Sequence, residues 1–186
     1  MPGESDDDLD FTRPLPPAAA PAPEKVAQAR KEATAGGPML AKSGFYVAMA
    51  RRASDRLPPR NGERHAVFVI EDDATLVKLL GEVLADAGFL TRFARNRSEI
   101  NREFNVVPLP DVVLLDVTLP DADGFQILER IRANPKVARL PVVMMTGRSE
   151  VTDVARGLAL GADGYVSKPF RLEALVSAVN TVLGRD

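Results

Sequence analysis

Four apolar runs in this sequence each end on a residue that can bind a cation, accept a phosphoryl group or neutralise one. Val67–Ile70 is followed by Glu71 and Asp72, Val112–Leu115 by Asp116, Val142–Met145 by Thr146, and Tyr165–Ser167 by Lys168. Carboxylate oxygens are the ligands that hard divalent cations such as magnesium select. A hydroxyl can donate to a phosphoryl oxygen, and an ammonium presents a compact positive charge to one. The set suits metal-assisted handling of a phosphoryl group. One member alone would mean little. Asp72, Asp73 and Asp123 each stand where an acidic residue caps a following helix, Lys168 could be a surface charge, Thr146 a strand-end hydroxyl and Tyr165 core. Their joint placement at run ends carries the reading.

Short runs rich in Val, Ile and Leu, separated by segments with helical periodicity, predict strands buried on both faces of a parallel sheet. Residues just past the carboxyl ends of such strands converge on one edge, where open α/β sheets bind their ligands. Strands are predicted at Ala66–Ile70, Leu90–Phe93, Asp111–Asp116, Val142–Thr146 and Gly164–Ser167. The intervening helices are predicted at Thr75–Ala87, with Leu76, Leu79, Leu80, Val83 and Leu84 on one face and Gly88 as its stop, and at Ser98–Phe104, Gly124–Ala133, Val151–Leu160 and Leu172–Leu183. Right-handed crossovers then give an α/β domain, a flavodoxin-like (βα)5 fold with a doubly wound parallel five-stranded sheet in the order 2-1-3-4-5.

Composition narrows the function classes. The 186 residues are 45% apolar, enough for an ordinary core, and the formal charge of -2 supplies no bulk attraction to nucleic acid or an anionic membrane. Without cysteine there is no disulfide, thiol chemistry or zinc finger. Met1–Asp10 is acidic and lacks the basic and apolar regions of a secretory signal, and no stretch reaches the roughly 20 apolar residues of a membrane span, so the cytoplasm is the default compartment. His65 is the only histidine, which excludes an accompanying phosphohistidine domain and suits a structural role at a strand start.

The chain divides near His65. Residues 1–64 form an N-terminal extension. Prolines 14, 16, 17, 21 and 23 among alanines, after an acidic start, predict that Met1–Pro38 is mostly disordered, with a short helix over Glu24–Ala33. Met39–Leu57, with Leu40, Phe45, Tyr46, Val47 and Met49 before Arg51, Arg52 and Arg56, is expected as a basic amphipathic helix ended by Pro58 and Pro59. Residues 65–186 hold the folded domain.

In register, Glu71-Asp72, Asp116-Val117-Thr118-Leu119-Pro120 with Asp123-Gly124, Thr146-Gly147 and Tyr165-Val166-Ser167-Lys168-Pro169-Phe170 resemble the receiver domain of two-component response regulators. The resemblance covers His65–Asp186 and says nothing about Met1–Arg64. It implies that Asp116 accepts a phosphoryl group from a histidine kinase or histidine phosphotransfer protein. It implies magnesium, or manganese, on Asp72, Asp116, the backbone carbonyl of Thr118 and Glu71, the last directly or through water. Lys168 would contact a phosphoryl oxygen, Lys168-Pro169 would be a cis peptide that aims the lysine, and Gly147 would leave room for the entering group. Thr146 and Tyr165 would be the switch, with the threonine hydroxyl moving to the phosphoryl group and the ring turning into the space it leaves. Thr118 and Arg148 would flank the path of the hydrolytic water.

The expectation is therefore a self-phosphorylating and self-dephosphorylating signalling switch, not a turnover enzyme. It would carry no recognisable output domain, bind no nucleic acid directly, and act on a downstream protein. A homodimer through the face of the last two strand-helix units is compatible with this. A phosphorylation-independent receiver-like scaffold is the alternative, which the intact acidic pair, Asp116 and Lys168 argue against. A phosphatase using Asp116 as nucleophile in the haloacid dehalogenase manner ranks lower, because the second aspartate of that chemistry would stand where the chain has Thr118.

Overall fold

Parallel strands built from unbroken apolar runs form the centre of the molecule, because both of their faces are covered. The computed structural model describes residues 9–13, 21–31, 47–49, 57–147 and 151–185. Its elements in chain order are α1 (23–31), β1 (Val47–Met49), β2 (Ala66–Ile70), α2 (Ala74–Asp86), β3 (Leu90–Ala94), α3 (Arg97–Phe104), β4 (Val112–Asp116), α4 (Gly124–Ala133), β5 (Val142–Thr146), α5 (Val151–Ala159), β6 (Gly164–Ser167) and α6 (Leu172–Leu183). Among the described residues the sheet has six strands in the order β1-β6-β5-β4-β2-β3. The five from β2 onward are parallel and, numbered among themselves, run 2-1-3-4-5, the flavodoxin-like order.

Alternate residues of each strand supply two separate cores. Phe68, Ile70, Val113, Leu115, Val142, Met144 and Tyr165 pack with α3, α4 and α5 on one side. Val67, Val69, Val112, Leu114, Val143, Met145 and Val166 pack with α2 and α6 on the other. The register sets Asp116 beside Met145 and Thr146 beside Ser167, which levels the strand ends on one edge.

The opposite edge is closed by two buried aspartates. Asp111 accepts from the Ala66 N–H at 2.8 Å and the Arg60 N–H at 2.9 Å. Asp163 accepts from the Val142 N–H and from Arg132, each at 2.8 Å. Both carboxylates cap strand starts, so they serve the fold and not the chemistry.

The extension differs from its expectation. Residues 47–49 form a strand paired antiparallel with β6, not part of a helix; the rest of the amphipathic stretch, 39–46 and 50–56, lies outside the described residues. The unpaired N–H and C=O groups of an edge strand favour extended backbone there, and the neighbouring Phe45, Tyr46 and Val47 are aromatic or β-branched. In the proline-rich region, α1 matches the short helix expected there, and Ala29 on it is buried. Phe11 is buried at 1% exposure, stacked on Phe104 with centroids 5.1 Å apart. A side chain that docks on an already folded surface needs little apolar sequence around it. Residues 1–8, 14–20 and 32–38 lie outside the described set.

Candidate functional site

Three carboxylates and one ammonium meet where β2, β4 and β6 end. Glu71 and Asp72 follow β2 directly, Asp116 is the last residue of β4, and Lys168 follows β6. Lys168 Nζ donates to Glu71 Oε2 at 2.6 Å and to Asp116 Oδ2 at 2.8 Å. The other oxygens are held by backbone: the Asp73 N–H donates to Glu71 Oε1 and the Thr118 N–H to Asp116 Oδ1, both at 3.2 Å. Glu71 and Asp116 are buried, whereas Asp72 is half-exposed and its carboxylate has no protein partner among the described residues. Carboxylate oxygens of Glu71, Asp72 and Asp116 lie within 4.8 Å of one another.

Burial pushes the Glu71 carboxyl above its ordinary range and the Asp116 charge adds to this, while Lys168 opposes both. Burial works against the Lys168 ammonium too, but its hydrogen bonds and charge pairing with Asp116 and Glu71 prevail and raise its pKa. With all four groups ionised, three carboxylates against one ammonium leave two negative charges in the pocket. An all-oxygen donor set with that excess could hold a hard divalent cation, magnesium or manganese.

The loops are shaped to keep this arrangement. Asp73 caps α2 by accepting from the N–H groups of Thr75 and Leu76, and Asp123 caps α4 by accepting from that of Phe125. The loop after β4 folds back through a bridge between Thr118 and Asp123, and the Gly124 N–H donates to the Val117 carbonyl at 2.8 Å. A Cβ on Gly124 would stand 2.3 Å from the Asp116 carbonyl oxygen, so only glycine lets α4 begin this close to the Asp116 backbone. Around Gly147 a Cβ would meet nothing within 4 Å, leaving open space at the end of β5.

Thr146 closes β5 at the same edge, but its side chain and Arg148 lie outside the described residues. Tyr165 is not at the cluster. It is fully buried under α5, where a Cβ on Gly157 would be 3.3 Å from its ring and 3.0 Å from Met144 Sδ. Lys168-Pro169 is cis, as is Val107-Pro108. Arg95 was not foreseen. Its guanidinium donates to the Asp72 carbonyl at 3.1 and 3.3 Å and lines a shallow cleft beside the cluster with Asn96, Glu99 and Pro120. Its position just past the end of β3 is the signal the sequence offers, since the other four parallel strands each end at or just before a candidate site residue.

Fold and site together define a doubly wound α/β domain with an acidic cluster and a lysine at its strand ends. A family model described as the response regulator receiver domain matches residues 67–180, and the chain belongs to that family. It is 35% identical over 119 residues to the phosphate regulon transcriptional regulatory protein PhoB of Escherichia coli strain K12, covering 64% of this chain and 52% of that protein. It is 34% identical over 120 residues to the protein ycf29 of Porphyra purpurea, covering 64% and 57%. The chain thus spans about half the length of the curated relatives it matches. Among solved structures, the chemotaxis response regulator CheY4 of Vibrio cholerae superposes with a TM-score of 0.60 at 26% identity, covering 64% of this chain and 99% of that one. The non-phosphorylated HemR receiver domain of Leptospira biflexa gives 0.59 at 29%, covering 64% and 94%. Among the described residues no helix is long and apolar enough to cross a membrane.

Proposed function

We propose that this receiver domain takes a phosphoryl group onto Asp116 from the phosphohistidine of a histidine kinase or phosphotransfer protein, and that the acyl phosphate changes which protein partner it binds. One observation carries the reading: a single ammonium, Lys168, bridges Glu71 and Asp116 within hydrogen-bond distance, and Asp72 completes an oxygen cluster beside them.

In the transfer, an Asp116 carboxylate oxygen attacks phosphorus opposite the P–N bond of the donor. That bond breaks, its electron pair returns to the donor imidazole, and an aspartyl phosphate remains. A magnesium or manganese ion on Glu71, Asp72, Asp116 and the Thr118 carbonyl would supply neutralisation of the phosphoryl charge. Lys168 then follows the transferred group, exchanging an Asp116 oxygen for a phosphoryl oxygen. The Thr118 N–H on Oδ1 orients the carboxylate before attack. Thr146, the last residue of β5, would donate its hydroxyl to a phosphoryl oxygen, and repacking of Tyr165 would convey the change to the surface of α5, β6 and α6. A downstream protein or a second copy of the domain reads that surface. Thr118 and Arg148, two positions beyond Asp116 and Thr146 in sequence, would set how long the acyl phosphate lasts. On this reading the chain is a cytoplasmic switch that loses its own phosphoryl group and is not a turnover enzyme.

The test is incubation of the purified protein with magnesium and a small acyl phosphate donor, followed on a phosphate-retarding gel. Wild type is expected to shift, and Asp116→Asn, or wild type with excess chelator, is expected not to. Normal labelling of Asp116→Asn would overturn the assignment.

A further inference from the structure

β6 would be the open edge of the parallel sheet, with a row of unpaired N–H and C=O groups ready to accept another extended chain. Here the chain covers that edge itself. β1 lies antiparallel on it, with Val47 opposite Val166, Ala48 opposite Tyr165 and Met49 opposite Gly164, and it also touches α6. The cover is slight. It is 3 residues long, against the usual strand of about 5–6, and its Val-Ala-Met sequence is uncharged. It is also tethered: the Leu57 N–H donates to the Leu183 carbonyl at 3.0 Å and Leu57 packs against the α2 and α6 side of the core, so residues 50–56 connect β1 to a fixed point. A tether this short gives an effective local concentration on the order of millimolar, enough to hold a weak strand in place without making it irreplaceable. The covered strand leads straight into the site, because Tyr165 faces Ala48 in the ladder and Lys168 follows the last residue of β6.

We propose that the β6 edge is a strand-accepting docking surface, that Val47–Met49 is its tethered occupant, and that the target protein docks by laying an extended, apolar, uncharged segment antiparallel along β6 in place of β1. Backbone hydrogen bonds would supply the affinity and alternate side chains the selectivity. β1 then acts as a built-in competitor, lowering the partner's apparent affinity by the fraction of time it holds the edge. The link to phosphorylation rests on the reading given above; the docking surface does not.

The test uses the full chain as wild type, as Ala48→Pro, and as the double variant Val47→Pro/Met49→Pro. Between them the two variants remove every β1 amide proton that faces β6. The probe is a fluorescent peptide with the uncharged sequence of residues 44–50, titrated without any phosphoryl donor, with amide exchange at Gly164–Val166 followed in parallel. At least one variant is expected to lose protection at those amides, to bind the peptide about tenfold or more tighter than wild type, and to regain protection when the peptide is bound. Equal peptide binding by wild type and an unprotected variant, or none by that variant, would overturn the proposal. Unchanged protection in both variants would overturn it as well, since Val47–Met49 would not then be the occupant. Repeating the wild-type titration with magnesium and acyl phosphate, against Asp116→Asn, tests the coupling separately: no response there counts against the phosphorylation reading and leaves the docking surface standing.

Discussion

Among the described residues Lys168 is the one positive charge set between two buried carboxylates, and its removal separates the electrostatic needs of the fold from those of the site. Lys168→Ala leaves Glu71, at 1% exposure, and Asp116, at 5%, facing each other without a counter-charge. Stability in chelator is expected to fall by about 1–3 kcal/mol, the cost of orphaning a buried charged acceptor. Millimolar magnesium should restore much of the loss, since a divalent ion on the same oxygens replaces the lost charge. Urea unfolding in the two buffers reads the difference, and an equal loss in both would mean that the cation binds elsewhere. Gly124→Ala is a purely steric counterpart. Its Cβ cannot occupy a position 2.3 Å from the Asp116 carbonyl oxygen, so α4 or the Asp116 backbone must move. A stability loss of about 1–3 kcal/mol and slower labelling of Asp116 by acyl phosphate are expected together. The sequence showed Glu71, Asp72, Asp116 and Lys168 because each ends an apolar run. Arg95 also follows a strand, but Leu90–Ala94 contains Thr91 and Arg92 and is no apolar run, and its partner is a backbone carbonyl, which has no sequence signature.

Among the elements, the turn at 9–13 is the clearest case of a docked segment with little sequence behind it. Phe11 stacks on Phe104 of α3, the Phe11 N–H donates to Asn101 Oδ1 at 3.3 Å, and Arg130 of α4 donates to the Asp10 carbonyl. Phe11→Ala should release this turn at a cost of about 2 kcal/mol, with amide protection lost near Asn101 and the sheet intact. The turn should also respond to acid. Asp10 accepts from the side chain and backbone of Thr12, which holds its carboxyl below the ordinary value of 3.8. A depressed carboxylate contributes its stabilisation above the unfolded value and loses it as pH falls through the lowered folded one. Phe11 ring resonances should therefore shift toward random-coil values at the acid end of a titration, and the step should be absent in Asp10→Asn. Helical periodicity had located α2, α4 and α6 to within a residue or two, since each presents an apolar stripe to the sheet. For β1 the same residues fit either state, and the vacant edge of β6 decided between them.

At the scale of the whole molecule, the segment before His65 is sewn to the domain. His65 Nε2 donates to the Leu57 carbonyl at 2.6 Å, and Arg60 reaches Asp111 through its N–H at 2.9 Å and its side chain at 3.8 Å. A chain beginning at Leu57 is expected to unfold cooperatively, weaker than the full protein by about the 2 kcal/mol that docking of the Phe11 turn contributes. One beginning at His65 should be weaker by about 1–3 kcal/mol, because the buried Asp111 loses a donor. Thermal unfolding of the two truncations checks this. Equal melting temperatures would place the boundary at His65, where the change in composition had suggested it.

The sequence by itself determined what depends on near neighbours. It held the alternation of strand and helix, the double burial that makes the sheet parallel, and thus which run-end residues share an edge, because a parallel sheet turns local position into convergence. Tertiary structure decided what depends on partners far along the chain: Phe11 against Phe104, Asp111 beneath Ala66, Arg95 on the Asp72 carbonyl, and Val47–Met49 on β6. Periodicity records which face of an element is apolar, but it carries no information about which distant surface will be left open to receive it.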